Sequence, residues 1–208
     1  MPFNIPYASL AKYSPKGKSE IAKRSRDLCY AIKNGDRQVI SQVLTTYVNE
    51  VKTIEDPFLA KDVTFIPVPR SSPIKKGDLW PGHIICEELR KKGYGKNIST
   101  CLVRVYAVPK SSFSSPGDRP TLKMHYESLR VNPEVIKPQV ITIVDDIITL
   151  GTTSAACWMR LHEAYPNAEI RIFAFVRTKG YETIDSYIDP YIGYIRVDTD
   201  NFTAQRSD

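Results

Sequence analysis

Residues 140 to 153, Val-Ile-Thr-Ile-Val-Asp-Asp-Ile-Ile-Thr-Leu-Gly-Thr-Thr, constrain the fold more than any other stretch of the chain. Val140 to Val144 are rich in β-branched apolar side chains and run directly into two adjacent carboxylates, Asp145 and Asp146. A short apolar run bounded in this way reads as a buried parallel strand. Thr149, Gly151, Thr152 and Thr153 then make a turn, and a helical pattern begins at about Ser154. Open α/β sheets bind ligands at the carboxyl ends of their strands, where this turn lies. Two acids can grip a diol or a hydrated cation, and the amides and hydroxyls of a helix start can grip a phosphate. A ligand carrying both a diol and a phosphate is a ribose phosphate. A parallel strand with an incidentally acidic turn accounts for the carboxylates but not for the hydroxyl-rich helix start.

The flanking sequence supplies the other elements of an α/β domain. Residues 1 to 18 are expected to be irregular, because Pro2, Pro6, Pro15 and Gly17 oppose regular structure. Ser19 is an N-cap candidate for a first helix, with Ile21, Leu28 and Ile32 on one face. After Asn34-Gly35-Asp36 a second helix starts at Arg37, with Ile40, Leu44, Tyr47 and Val51 in one stripe. These helices cover the sheet or form a hood. Asp62 to Val68 reads as a strand ending in Pro67-Val68-Pro69-Arg70-Ser71-Ser72, and residues 80 to 92 as a helix stopped by Gly93. A second strand is expected over Ser99 to Tyr106, followed by a long polar loop, 107 to 125, that carries Lys110, Arg119, Lys123 and His125. Past the acidic strand, a helix runs from Thr152 to about Tyr165 and a strand from Glu169 to Val176. The basic loop Arg177-Thr178-Lys179-Gly180 would then fall beside the same crevice. A weak helical turn, an edge strand near Tyr191 to Val197 and a frayed polar tail complete the reading.

A chain of 208 residues fits one domain, and 42% hydrophobic content suffices for a core. Its parts would be a helical segment over 1–60, a core over 61–200 and a tail over 201–208. Apolar runs are too short to span a bilayer, and Met1 to Lys12 lacks the pattern of a secretory signal. Cys29, Cys86, Cys101 and Cys157 are widely spaced, and the three histidines complete no zinc pattern. Free thiols in a reducing cytoplasm are the simplest expectation. A net charge of +6 favours anionic partners. Lys and Arg are spread along the chain rather than clustered, so nucleic acid is the lesser reading.

The stretch Val144-Asp145-Asp146-Ile147-Ile148-Thr149-Leu150-Gly151-Thr152-Thr153 resembles the signature of the type I phosphoribosyltransferases. In that family an apolar strand ends in two acids, then two apolar residues, then a Thr/Gly-rich loop. The resemblance implies a central, mainly parallel sheet flanked by helices, with the N-terminal helices as a hood. It implies binding of phosphoribosyl pyrophosphate (PRPP) or a nucleoside monophosphate with Mg2+, and transfer of the phosphoribosyl group to or from a nitrogenous base or amine. The alternatives are a catalytically silent PRPP- or nucleotide-binding regulator and a ComF-type accessory protein linked to DNA uptake or processing. By the same resemblance Asp145 and Asp146 hold the ribose hydroxyls and favour the Mg2+ that PRPP carries. Thr149, Gly151, Thr152 and Thr153 wrap the 5′-phosphate. Arg70 and Ser71 meet the pyrophosphate, Lys110 or Arg119 arrives with a mobile loop as a catalytic cation, and Arg177 is a base-side candidate. The family also admits a homodimer. Pro67-Val68-Pro69 looks most like the ComF-type branch linked to DNA uptake, although Lys75 to Pro81 departs from that branch's continuation. Thr149 stands where purine-salvage members usually carry Asp, as is similar to orotate-type and ComF-type members, and this disfavours a hypoxanthine or guanine substrate. Leu150 replaces a commoner small or hydroxylated residue, which removes one possible phosphate donor.

Overall fold

The computed structural model describes residues 2–109, 119–132, 138–180 and 183–207. The chain opens with a strand, β1 (Pro2–Tyr13), followed by helices α1 (Glu20–Lys33), α2 (Arg37–Thr46), α3 (Val48–Lys52) and α4 (Glu55–Phe58). Strand β2 (Thr64–Pro67), helix α5 (Pro81–Lys91) and the short strands β3 (Asn97–Ile98) and β4 (Leu102–Arg104) come next. Helix α6 (Leu122–Glu127), β5 (Leu129–Val131), β6 (Val140–Ile148), α7 (Thr152–Ala164), β7 (Glu169–Thr178), β8 (Ile188–Asp198) and β9 (Thr203–Arg206) complete the order. Side chains cap several helices where the sequence places them: Ser19 accepts from the Ala22 amide at 3.1 Å and Asp36 from the Val39 amide at 3.1 Å. Pro81 begins α5, where its missing N–H costs nothing.

Among the described residues the main sheet has seven strands in the order β3-β2-β6-β7-β1-β8-β9. The first five are mutually parallel, β8 pairs antiparallel with β1, and β9 pairs antiparallel with β8. The chain is therefore a mixed α/β protein with a mostly parallel sheet. Strand alternation divides the core into two layers. On one face Ile5, Tyr7, Ile66, Ile143 and Ile172 meet α7, Leu122 of α6 and the small β4–β5 ribbon. On the other face Ala8, Leu10, Phe65, Val144 and Phe173 meet α1, α2 and α5. Helices α1 and α2 thus cover one face of the sheet. Each fully buried aliphatic in these layers contributes about 1.5–3 kcal/mol.

Four expectations need correction. Residues 2–13 are not irregular but form a strand with β7 on one side and β8 on the other. Its pairing with β7 begins only at Tyr7, so Pro2 and Pro6 lie where one edge of the strand is unpaired and a missing N–H is tolerated. The strand expected over 99–106 is replaced by two short ones: Asn97–Ile98 joins the main sheet, and Leu102–Arg104 leaves it to pair with β5. Residues 203–206 are not a frayed tail but the edge strand β9, so β8 is internal. No helix lies among the described residues between β7 and β8, where a weak helical turn was expected.

Candidate functional site

Two crossovers leave the middle of the sheet in opposite directions. From β2 the chain passes through α5 to β3, and from β6 it passes through α7 to β7. Helices α5 and α7 pack on opposite faces. The carboxyl ends of β2 and β6 therefore flank a topological switch point, the usual ligand crevice of an open α/β sheet. The two strands are direct neighbours, with Pro67 opposite Val144, and Val68 donates its amide to the Val144 carbonyl at 2.9 Å. Gly82 sits beneath this junction, and a Cβ there would come within 3.0 Å of the Val144 carbonyl oxygen.

A cleft of about 180 Å3 opens at the end of β6, lined by Arg119, Pro120, Asp145 and residues 147–154. Gly151 makes the turn into α7 with φ +83°, and a Cβ there would lie 2.9 Å from Ile195 Cδ1. Glycine meets both demands. The amides of Thr152, Thr153 and Ser154 belong to the first turn of a helix and lack intrahelical acceptors there. These residues and their hydroxyls surround the cleft.

The two carboxylates have opposite surroundings. Asp145 is buried and accepts from Ser154 Oγ at 2.6 Å and from the Asp146 amide at 3.0 Å. Burial, and then the charge of Asp146, hold its pKa well above the usual carboxylate range, with the Ser154 hydroxyl acting in the other direction. Asp146 is half-buried, accepts from the Ile147 amide at 2.9 Å, and lies on the α1 side. There its charge contributes to a raised Cys29 pKa of about 11, for which burial is the main cause. The two therefore differ in access: Asp145 lines the cleft, and Asp146 is not among the cleft-lining residues.

The other expected residues separate into groups. Thr149, Gly151, Thr152, Thr153 and Arg119 line the cleft with Asp145. Arg70 and Ser71 lie in the loop after β2, outside that lining. Their carbonyls accept from Arg104 Nε at 2.5 Å and from the Val108 amide at 2.7 Å. Lys110 lies outside the described residues. Lys123 and His125, expected in a loop, belong to α6, where Lys123 faces Glu127 at 3.8 Å and His125 is buried. Arg177 is not in a loop either. It sits buried in β7, donates to Ser9 Oγ at 3.1 Å and to the Asp189 carbonyl at 2.6 Å, and pairs with the Asp189 carboxylate. It is not among the cleft-lining residues.

Several residues contribute in ways the sequence did not assign to them. Ser154 answers Asp145 from nine positions downstream. His125 Nε2 lies 3.3 Å from Thr153 Oγ1, and burial together with the charge of Arg104 lowers its pKa to about 4. Arg206 of β9 donates to the carbonyls of Ile148 at 3.1 Å and Thr178 at 2.7 Å, which ties the ends of β6 and β7 together. Among the described residues no three His, Cys, Asp or Glu side chains cluster so as to hold a metal ion by themselves. No helix there is long and apolar enough to cross a membrane.

No protein-family model and no curated protein matches the sequence. Among solved structures, a hypoxanthine phosphoribosyltransferase from Staphylococcus aureus is similar at a TM-score of 0.33 and 11% identity, covering 76% of this chain and 70% of that one. A likeness of that size carries no argument about function.

Proposed function

We propose that the protein binds PRPP with Mg2+ in the cleft at the end of β6 and transfers the phosphoribosyl group to or from a nitrogenous base or amine. The observation that carries this reading is the junction of Asp145 and the Gly151–Ser154 helix start in one cleft at the switch point. The 5′-phosphate takes the amides of Thr152, Thr153 and Ser154 and the hydroxyls of Thr152 and Thr153, with Thr149 at the rim. The ribose hydroxyls take Asp145 and Asp146. The pyrophosphate extends toward Arg70 and Ser71, and Arg119 stands on the cleft wall to offset its charge.

Asp146 is the accessible carboxylate for a Mg2+ that arrives on pyrophosphate and keeps most of its water. A bound Mg2+ supplies charge neutralisation on the leaving pyrophosphate. In the transfer the C1–O bond to pyrophosphate breaks, a C1–N bond to the acceptor forms, and the acceptor nitrogen passes a proton to water or to the departing pyrophosphate. Such a reaction needs positioning and a dry, cationic surround more than a covalent catalyst. Burial, and then the charge of Asp146, disfavour ionisation of Asp145, which lessens its repulsion of a phosphate bound in the cleft.

Calorimetry with PRPP and Mg2+ tests the reading. Binding that disappears in the double variant Asp145→Asn, Asp146→Asn supports it, and absence of binding by the unaltered protein overturns it. Pyrophosphate release across a panel of bases then separates transferase from regulator, because binding with no release favours the regulator.

A further inference from the structure

We infer that His125 is a positioning residue of the phosphate cradle: its Nε2–H donates to Thr153 Oγ1 and leaves the Thr153 hydroxyl hydrogen to be donated into the cleft, to a phosphate monoester. The inference rests on the phosphate reading of the 149–154 cleft. The argument begins with the two ring nitrogens. His125 is 3% exposed, and its Nε2 lies 3.3 Å from Thr153 Oγ1. Its Nδ1 is buried with no hydrogen-bond partner among the described residues. A buried N–H without an acceptor is rarer and costlier than a buried acceptor without a donor. The proton therefore sits on Nε2, and the ring donates to Thr153. Burial and the neighbouring Arg104 keep the second proton off.

The consequence falls on Thr153. A hydroxyl has one hydrogen and can accept two. With its oxygen accepting from His125, its hydrogen is free for the cleft that Thr153 lines. A hydroxyl that presents its hydrogen to the cleft favours an oxygen-rich anion over a ligand that must itself donate.

The ring is held in place from the opposite side. Arg104 Nη1 donates to Ser128 Oγ, which donates to the His125 carbonyl at 2.7 Å, while Arg104 Nε donates to the Arg70 carbonyl at 2.5 Å. One buried polar chain thus runs from the loop after β2, through the β4–α6–β5 segment, to the start of α7. Its Arg104 is 4% exposed and makes no ion pair among the described residues.

Titration calorimetry with ribose 5-phosphate as probe tests the inference, with melting curves to establish that each variant is folded. The His125→Gln amide N–H can reach the Nε2 position, whereas the Asn amide reaches only as far as Nδ1. His125→Gln should stay within about threefold of the unaltered protein, and His125→Asn should bind about tenfold more weakly. Thr153→Val should lose the same factor and show no further loss when combined with His125→Asn, whereas Thr153→Ser should bind normally. Equal affinity in the Asn and Gln variants, or additive losses with Thr153→Val, overturns the role of His125 alone. Failure of the unaltered protein to bind ribose 5-phosphate overturns the phosphate reading, and this inference with it.

Discussion

The two faces of the sheet at the end of β6 are built differently. On the α7 face the polar groups are mutually engaged: Asp145 with Ser154, Thr153 with His125, and Gly151 pressed against Ile195. On the α1 and α5 face Asp146 is half-buried, its carboxylate accepting from the Ile147 amide next to it. The loop carrying Arg70 leads from β2 to α5 and is anchored largely through its backbone, with Trp80 Nε1 donating to the Val68 carbonyl at 2.8 Å. The first face is preorganised, so altering it should change stability together with binding. The second presents charge to a ligand, so altering it should cost binding with little change in stability.

The largest effect that could break this contrast is Gly151→Ala. The new Cβ meets Ile195 at 2.9 Å in a backbone with φ +83°. Strain and overpacking together should cost about 3–5 kcal/mol. Gly77, in the loop between β2 and α5, also has positive φ, at +89°, but an added Cβ there meets nothing within 4 Å. Its Ala variant should cost about 1 kcal/mol. Urea unfolding reads both, and equal losses would remove the contrast.

Acid is the next probe, and it acts on the α7 face. His125 titrates near 4 in the folded chain, against about 6.5 for a free histidine. Between those values the unfolded chain binds the extra proton. The stability His125 contributes is therefore complete above pH 6.5 and lost as pH falls toward 4, by on the order of 3 kcal/mol. Asp145 acts in the opposite sense. Its pKa is raised, so the stability linked to its proton is present at low pH and declines as pH rises above the ordinary aspartate range. Melting curves against pH should show a shallower acid loss in His125→Gln. A parallel loss in that variant would mean the acid sensitivity lies elsewhere.

How much of this was legible in the sequence depends on the kind of signal each element carries. Residues 140–153 could be read because an apolar run, two acids and a glycine turn each restrict the backbone independently, and the helix expected from Thr152 to about Tyr165 spans Thr152–Ala164. Strand β1 was hidden by Pro2 and Pro6, whose local preference is outweighed by pairing with β8. Its apolar stretch Ile5 to Ala11, which buries both faces, was the available sign. Strand β9, Thr-Ala-Gln-Arg, is short and polar and is held by the neighbouring β8. That leaves no period to detect. His125 was read as part of a loop because the segment before it is rich in Ser, Pro and Gly. The cap signal was present, since Thr121 accepts from the Met124 amide at 3.2 Å and starts α6. Its contact with Thr153 depends on α6 packing against α7, which no local pattern encodes.

On the open face, Asp146→Asn should weaken PRPP binding roughly thirtyfold, the loss of about 2 kcal/mol expected when a hydrogen bond to a charged group is removed. Its melting temperature should hardly change. Asp145→Asn should also weaken binding but should melt higher than the unaltered protein near neutral pH, because it removes a buried carboxylate that ionises against its surroundings. The order of the two melting temperatures is the informative quantity. If Asp146→Asn melts higher and Asp145→Asn does not, the assignment of closed and open faces is reversed.

The smallest expected effect bears on how the loop after β2 is held. Trp80→Phe keeps most of the side chain's apolar bulk and removes the donor to the Val68 carbonyl. A single neutral hydrogen bond of this kind is worth about 1 kcal/mol. Val68 retains its amide bond to the Val144 carbonyl, and Arg70 retains the donation from Arg104 to its own carbonyl. The loop should therefore stay in place while its first residues loosen. If Arg70 and Ser71 receive pyrophosphate, the variant should lose two- to threefold in affinity for PRPP and nothing for ribose 5-phosphate, which does not reach the loop. An equal loss for both ligands would show that Trp80 supports the phosphate cradle as well. The two faces would then be mechanically coupled through the Val68–Val144 junction rather than separate.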